Sequence, residues 1–151
     1  MALGLPMQRM TRLMIASFVT SVSMVGCANQ RDIFEAEQVI AHHFEARARR
    51  NYDTALADYD EHFFEDVTRS EWYTTLRTVT AKLGKFESYD INGQALDART
   101  SDGPGTYLKF RCQVVYSKHG AKETFYMLRR AGAAKFKILA HEIDSPGFLS
   151  K

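Results

Sequence analysis

Apolar residues in the first half of the chain recur at the three-to-four-residue spacing of amphipathic helices. A first helix is predicted over residues 32–50, on a stripe formed by Ile33, Ala36, Ile40, Phe44, and Arg47 or Ala48. Arginines crowd its last turn, where positive charge suits the negative end of the helix dipole. A shorter second helix is predicted over residues 53–62, with a stripe of Ala55, Leu56 and Tyr59.

The third helix carries the clearest local signals. Thr68 and Glu71 have the spacing of a capping box, in which each side chain satisfies the other residue's free amide. Apolar residues follow at helical spacing: Trp72, Leu76, Val79 and Leu83. Gly84 is a typical residue for the end of such a helix.

From Lys85 onward the apolar period changes to two, which predicts strands. Four strands are expected, over residues 86–98, 106–116, 122–130 and 135–143, with a bend or a break at Asn92 and Gly93 in the first. Short turns join them as hairpins. The predicted class is therefore α+β, with N-terminal helices packed on an antiparallel sheet of about four strands.

The N-terminus predicts a secretory signal. Arg9 and Arg12 precede an apolar run of about 13 residues, which is too short for the ~20 that span a bilayer. The run closes on Met24-Val25-Gly26-Cys27, which resembles a bacterial lipobox. That resemblance implies cleavage before Cys27 and attachment of lipid to this residue. An ordinary cleaved signal is the alternative.

This interpretation sets the expected domains and location. Residues 1–26 are the cleaved signal, 27–31 a short tether, 32–145 a single domain and 146–151 a tail. The protein is expected in the bacterial cell envelope, anchored by lipid on Cys27. In bacterial lipoproteins an Asp after the Cys favours the inner membrane, so Ala28 favours the outer membrane, facing the periplasm. With Cys27 lipidated, Cys112 is a lone thiol, which we interpret as a small buried apolar residue.

Charge is distributed unevenly along the mature chain. Residues 27–104 hold 9 Lys and Arg against 15 Asp and Glu, whereas residues 105–151 hold 9 against 3. The total is formally zero, so nucleic acid is not an expected partner. The basic half predicts either a solvated outer sheet face or a docking face for an anionic lipid, glycan or protein. Its candidate residues are Lys109, Arg111, Arg129 and Lys137.

Several segments resemble small bacterial secreted domains of the cystatin-like cone-fold superfamily, which includes nuclear transport factor two and ketosteroid isomerase. These segments are Asn51-Tyr52-Asp53-Thr54-Ala55-Leu56, Ser70-Glu71-Trp72, Leu83-Gly84-Lys85-Phe86, Gly103-Pro104-Gly105-Thr106-Tyr107 and Phe136-Lys137-Ile138-Leu139. The resemblance covers residues 32–143 and is closest to members of unknown function. It implies a sheet curled around a pocket, often dimerising through the sheet, with or without chemistry.

Few residues predict chemistry. No nucleophile elbow or phosphate loop is present, and no residue aligns with the ketosteroid isomerase catalytic set, so no catalytic residue and no cofactor is predicted. Asp58, His62 and Glu65 have near-helical spacing, but we favour no metal site; His42 and His43 point about 100° apart on a helix. Residues expected at a pocket rim are Tyr59, Trp72 and Tyr126.

Three functions remain open on this basis. The favoured one is a non-enzymatic, lipid-anchored module that binds an envelope protein or a small ligand. The alternatives are a small isomerase or dehydratase that uses a pocket carboxylate, and a structural lipoprotein. A homodimer is compatible with each.

Overall fold

The computed structural model describes residues 30–96 and 103–149. Cys27, the predicted signal and most of the predicted tether lie outside the described residues. Four helices come first: α1 (Gln30–Ala48), α2 (Tyr52–Leu56), α3 (Phe63–Asp66) and α4 (Arg69–Leu83). Four strands follow: β1 (Phe86–Leu96), β2 (Gly105–Tyr116), β3 (Gly120–Arg130) and β4 (Lys137–Asp144), then a 3-10 turn at Pro146–Phe148. The predicted α+β class is confirmed.

The helix ends follow from local hydrogen bonding. At the start of α4, the Thr68 hydroxyl accepts from the Glu71 amide at 3.2 Å, and the Glu71 carboxylate accepts from the Thr68 amide at 2.9 Å. Gly84 ends the helix with a φ of 96°, which favours glycine. Both predictions for this helix are confirmed. Asn51 caps α2, because its side chain accepts from the Thr54 amide.

The second helix is shorter than predicted, because its expected C-terminal half pairs with the sheet. The Ile138 amide donates to the Asp58 carbonyl at 2.8 Å, and the Asp60 amide donates to the Ile138 carbonyl at 2.9 Å. Tyr59 thereby forms a parallel bridge with Ile138. Helix α3 then begins only at Phe63. A continuous helix over residues 53–62 was therefore a wrong prediction, since tertiary pairing outweighs local periodicity.

The sheet is antiparallel in the order β1-β2-β3-β4, so β1 and β4 are its edges. The helices cover one face. The hydrophobic core between this face and the helices contains alternate residues of β2, including Phe110, Cys112 and Val114, which the sequence places on one side of the strand. Against them pack Phe44 of α1 and Leu76 of α4.

Three irregularities change the direction of side chains along the strands, two in β1 and one in β4. In β1 the register shifts between Phe86 and Ser88 and again between Ile91 and Gly93. The second shift lies at the predicted bend or break, and the strand continues through it. In β4, Ile138 pairs with Met127 but Ala140 pairs with Tyr126, so Leu139 is an extra residue. Such a bulge inverts the alternation after it. His141 and Ile143 therefore face the core on the same side as Ile138.

The chain after β4 packs on the body of the domain. Gly147 is buried, and a Cβ there would lie 2.6 Å from a methyl of Leu83 and 2.7 Å from the His119 ring. Phe148 packs against the core. The beginning of the predicted tail is thus held against α4. Within residues 30–96 and 103–149, no helix combines the length and apolar character needed to cross a bilayer.

Candidate functional site

A buried ion pair lies between α1 and the sheet. Arg47 is on the apolar stripe of α1, and Glu123 is on the inward face of β3. Two guanidinium nitrogens donate to the two carboxylate oxygens, at 2.7 and 3.2 Å. The side chains are 2% and 0% exposed. A bidentate pair of this kind offsets part of the large cost of removing two charges from water.

Further side chains complete the hydrogen bonds of this pair. The Tyr116 hydroxyl donates to Glu123 and accepts from Arg47. His141 Nε2 lies 2.9 Å from the other carboxylate oxygen, and His141 Nδ1 lies 2.7 Å from the Tyr59 hydroxyl. The buried network, as we name it, thus comprises Arg47, Tyr59, Tyr116, Glu123 and His141. Each of its polar side chains has a partner.

Burial and charge set the protonation states of the network. Burial alone would raise the pKa of Glu123, but Arg47 and His141 outweigh it and hold that pKa well below its usual range. Burial lowers the pKa of His141 despite the opposing effect of Glu123. Neutral His141 then donates from Nε2 to Glu123 and accepts at Nδ1 from Tyr59, whose pKa burial raises. The network is therefore an ionised Arg–Glu pair bounded by neutral rings.

His43 and Trp72 border this network. The His43 Nδ1 faces the Ala55 carbonyl at 3.3 Å, while its Nε2 is buried without a hydrogen-bond partner among the described residues. Burial, followed by the nearby Arg47 charge, lowers its pKa well below 6.5. The Trp72 indole nitrogen approaches the Tyr59 hydroxyl closely enough to oppose the rise of that pKa, yet makes no hydrogen bond of acceptable geometry.

The network and its aromatic neighbours fill the space between α1 and the sheet. Phe125 stacks on His141 with ring centroids 4.1 Å apart, and His43 meets Phe125 edge-on at 5.7 Å. Phe44 contacts the same Phe125 ring. A carboxylate that is ionised, saturated and inaccessible is unsuited to abstract a proton from a substrate. Glu123 is therefore a structural residue.

An open groove lies elsewhere, between α1, the end of α2 and the start of β4. Its volume is about 450 Å³, within the range of small-ligand sites. We call it the His42 groove. The residues that line it include apolar Val39 and Phe136, with Glu35, Gln38, His42, Asp58, Lys135 and Lys137 as polar groups.

A histidine–aspartate pair defines the polar side of the His42 groove. His42 Nδ1 lies 2.9 Å and 3.0 Å from the two Asp58 carboxylate oxygens. The His42 side chain is 54% exposed and that of Asp58 is 13% exposed. With Nδ1 directed at the carboxylate, Nε2 is the nitrogen left for a ligand. Burial raises the pKa of Asp58, although His42, Lys137 and Lys135 oppose the rise.

The predicted rim residues do not form one site. Tyr59 and Trp72 do meet, with ring centroids 6.1 Å apart, but Tyr59 is 2% exposed and belongs to the buried network. Trp72 and His141 border a second groove, of about 400 Å³, between α4 and β4. Tyr126 lies on the opposite face of the sheet, where its hydroxyl donates to Glu142 and Lys109 Nζ lies over its ring.

The predicted basic docking residues are also separated. Lys109 and Arg111 are on the outer sheet face, where the register places Glu142 in the same row as Arg111. Arg129 has the inward phase and binds Asp32 and Glu35 of α1 at 2.7 and 2.8 Å. Lys137 donates to the Ala57 carbonyl at 2.6 Å. The structure therefore divides the basic half of the chain among ion pairs and separate surfaces.

The metal candidates are also placed apart. His62 pairs with Glu65 at 3.1 Å, whereas Asp58 pairs with His42. In the described part of the chain, no three His, Cys, Asp or Glu side chains are close enough to hold a metal ion.

Cys112 is 1% exposed in the core, and burial raises its pKa to about 12.

Sequence reasoning missed the buried network, although two signals for it were visible. Arg47 lies on an apolar helical stripe, where a charge needs a buried partner. Glu123 alternates with Ala121, Phe125 and Met127, so it shares their face. His141 carried a misleading signal, because strict alternation from Lys137 and Leu139 places it outside. The His42–Asp58 pair had no signal, since 16 residues separate its members.

No family model, curated protein or solved structure matches this chain. The resemblance to the cone-fold superfamily therefore stays a prediction.

Proposed function

We propose that this protein is a non-enzymatic binding module of the bacterial cell envelope, anchored by lipid on Cys27, and that the His42 groove holds its small ligand. The observation that carries the proposal is the contrast between two sites. The buried network is saturated by its own side chains, whereas the groove presents polar groups to the solvent.

The lining of the groove indicates the kind of ligand. Val39, Phe136 and two alanines offer an apolar wall. Lys135 and Gln38 offer donors along the other side. A small molecule with an apolar body and a polar or anionic head matches both sides.

Two experiments test the two parts of the proposal. For the anchor, Cys27→Ser is expected to move the protein from the membrane fraction to the soluble fraction and to abolish the lipid mass. Unchanged membrane association with an unprocessed mass would contradict the lipoprotein assignment.

For the groove, native mass spectrometry of protein purified from its own envelope is expected to show a retained small molecule. Val39→Trp fills the groove and is expected to remove this molecule. Glu45→Trp, on the exposed side of the same helix, is the matched control and should retain it. A wild-type protein that retains nothing would favour a structural lipoprotein.

Asp58 favours one second candidate, a small enzyme of isomerase or dehydratase type. It is a partly buried carboxylate with a raised pKa beside an exposed His, the environment of a general base. Asp58→Asn would then still bind the molecule but would no longer convert it, so the variant would retain substrate where the wild type retains product. A retained molecule of identical mass and structure in both proteins would support binding without catalysis.

A further inference from the structure

One aromatic side chain of the described residues stands apart from the others. Phe34 is 60% exposed, while every other Phe, Tyr and Trp of residues 30–96 and 103–149 is buried or partly buried. It lies near the start of α1, whose buried stripe begins with Ala36 and Ile40. Phe34 points away from that stripe. A large aromatic ring in water forgoes the free energy that burial of its apolar surface would give.

The position of Cys27 limits how far Phe34 can lie from a membrane that holds the predicted lipid. Two residues lie between Cys27 and Gln30, the first residue of α1, so three Cα–Cα steps join them. However these residues are arranged, they span at most about 11 Å. Phe34 is four residues farther, about 6 Å along the helix axis. A lipid on Cys27 therefore holds this ring within about 17 Å of the membrane surface.

Charge at the same end of the molecule is compatible with an anionic bilayer. The two acidic residues beside Phe34, Asp32 and Glu35, are both bound by Arg129. Arg31, next to Phe34, pairs with Glu35 through Nε at 2.8 Å, while 79% of its side-chain area stays exposed. Lys135 is exposed in the β3–β4 turn, which lies at this end because Arg129 precedes it on β3.

We propose that Phe34 inserts into the headgroup layer of the phospholipid bilayer that holds the anchor, with Arg31 and Lys135 facing the phosphates. The inference rests on the lipid anchor of the proposed function and adds an orientation to it. The N-terminal end of α1 faces the membrane, and the β2–β3 turn faces away. The His42 groove, which Glu35 and Lys135 border, then opens close to the bilayer.

The test places a fluorophore at one or the other of two opposite ends of the folded domain, in the lipidated full-length protein. Phe34→Cys carries the environment-sensitive probe in one protein. Leu149→Cys carries it in the matched control, because Leu149 is also apolar and exposed, at 87%. Leu149 borders His119 and Gly120 at the start of β3, about 30 Å from the Arg129 end by strand rise. Cys112 is buried and Cys27 is blocked by lipid.

Both proteins are reconstituted into vesicles of phosphatidylethanolamine and phosphatidylglycerol. The probe at position 34 is expected to shift to the blue and to be quenched several-fold by nitroxide lipids, while the probe at position 149 stays in water. Equal spectra at the two positions, or a blue shift at 149 alone, would overturn the orientation. Protein that floats without a shift at 34 overturns this inference alone, whereas protein that fails to float with vesicles overturns the anchor as well.

Discussion

At the scale of single residues, Glu123 is the common hydrogen-bond acceptor for three buried polar side chains. Its two oxygens accept from Arg47, Tyr116 and His141, so its removal leaves one cation and two polar rings without their acceptor. A buried pair of charges is not in itself a large source of stability, but breaking it is costly. The network therefore matters most through the penalty for its partial loss.

Glu123→Leu is expected to lower the free energy of unfolding by about 3–5 kcal/mol, because it leaves the Arg47 charge buried and unpaired. The double variant Arg47→Met, Glu123→Leu removes both charges and is expected to recover on the order of 2 kcal/mol relative to the single change. Urea unfolding measures both. A single variant that costs under about 1 kcal/mol would mean that water or another group reaches Arg47.

The two buried histidines predict a loss of stability in mild acid. Burial lowers the pKa of His43 and His141 below the 6.5 of the unfolded chain, so the unfolded state binds more protons as pH falls. The free energy of unfolding should therefore decline below about pH 6.5, by up to about 1.4 kcal/mol per pH unit for each ring. Glu123, whose folded pKa lies below 4.5, adds a further loss under that pH.

Unfolding curves between pH 4 and pH 8 measure this decline. His62→Gln changes an exposed ring and should keep the acid decline, because both buried rings remain. If the free energy of unfolding stays constant from pH 7.5 to pH 5, the two rings take up protons in the folded protein as they do in the unfolded chain, which would contradict the lowered pKa values.

At the scale of elements, the capping box of α4 is the best-defined local interaction. Thr68 contributes both an acceptor for the Glu71 amide and a donor amide for its carboxylate. The helix supplies Leu76, Val79 and Leu83 to the core, so fraying at its start loosens that packing.

Thr68→Ala is expected to cost about 1 kcal/mol of unfolding free energy, through the loss of the cap. Thr74→Ala in the same helix removes an exposed hydroxyl that bonds only the carbonyl four residues earlier, and should change stability by less than about 0.5 kcal/mol. Thermal or urea unfolding compares the two. Equal effects would mean that the cap contributes nothing beyond helix propensity.

At the scale of the whole molecule, one closed core joins the helices to the sheet. Cys112 reports on it, since this thiol is 1% exposed between β1 and β3 and its pKa is raised to about 12. Only the thiolate of an accessible Cys reacts quickly with disulfide reagents. Its reaction therefore requires the sheet and helices to separate.

In a Cys27→Ser background at pH 8, Cys112 is expected to react with a disulfide reagent at least on the order of 100-fold more slowly than an exposed thiol. The matched control is Cys112→Ala with Val115→Cys, since Val115 is 42% exposed on the same strand. Addition of denaturant should make the two rates converge. Rapid labelling of Cys112 in the native protein would indicate frequent opening of the core.

The fold was predictable where local signals and burial agree. The cap at Thr68, the stop at Gly84 and the alternation of Phe110, Cys112 and Val114 all act within a few residues. The error at residues 58–60 arose because a distant strand, through Ile138, provides hydrogen bonds that local propensity cannot anticipate. Likewise, the bulge at Leu139 brings His141 inward, and no residue type near it announces that change of phase.

The sequence alone therefore determined the α+β class and the sheet of hairpins, because periodicity and turns are properties of neighbouring residues. The predicted location in the cell envelope also rests on the sequence alone, through Cys27 and the residues that precede it. Only the tertiary structure decided which charges meet. Arg47 finds Glu123 across 76 positions, His42 finds Asp58 across 16, and the basic residues of the C-terminal half are divided among different surfaces. These contacts depend on how helices and strands pack, and packing joins residues that no local pattern relates.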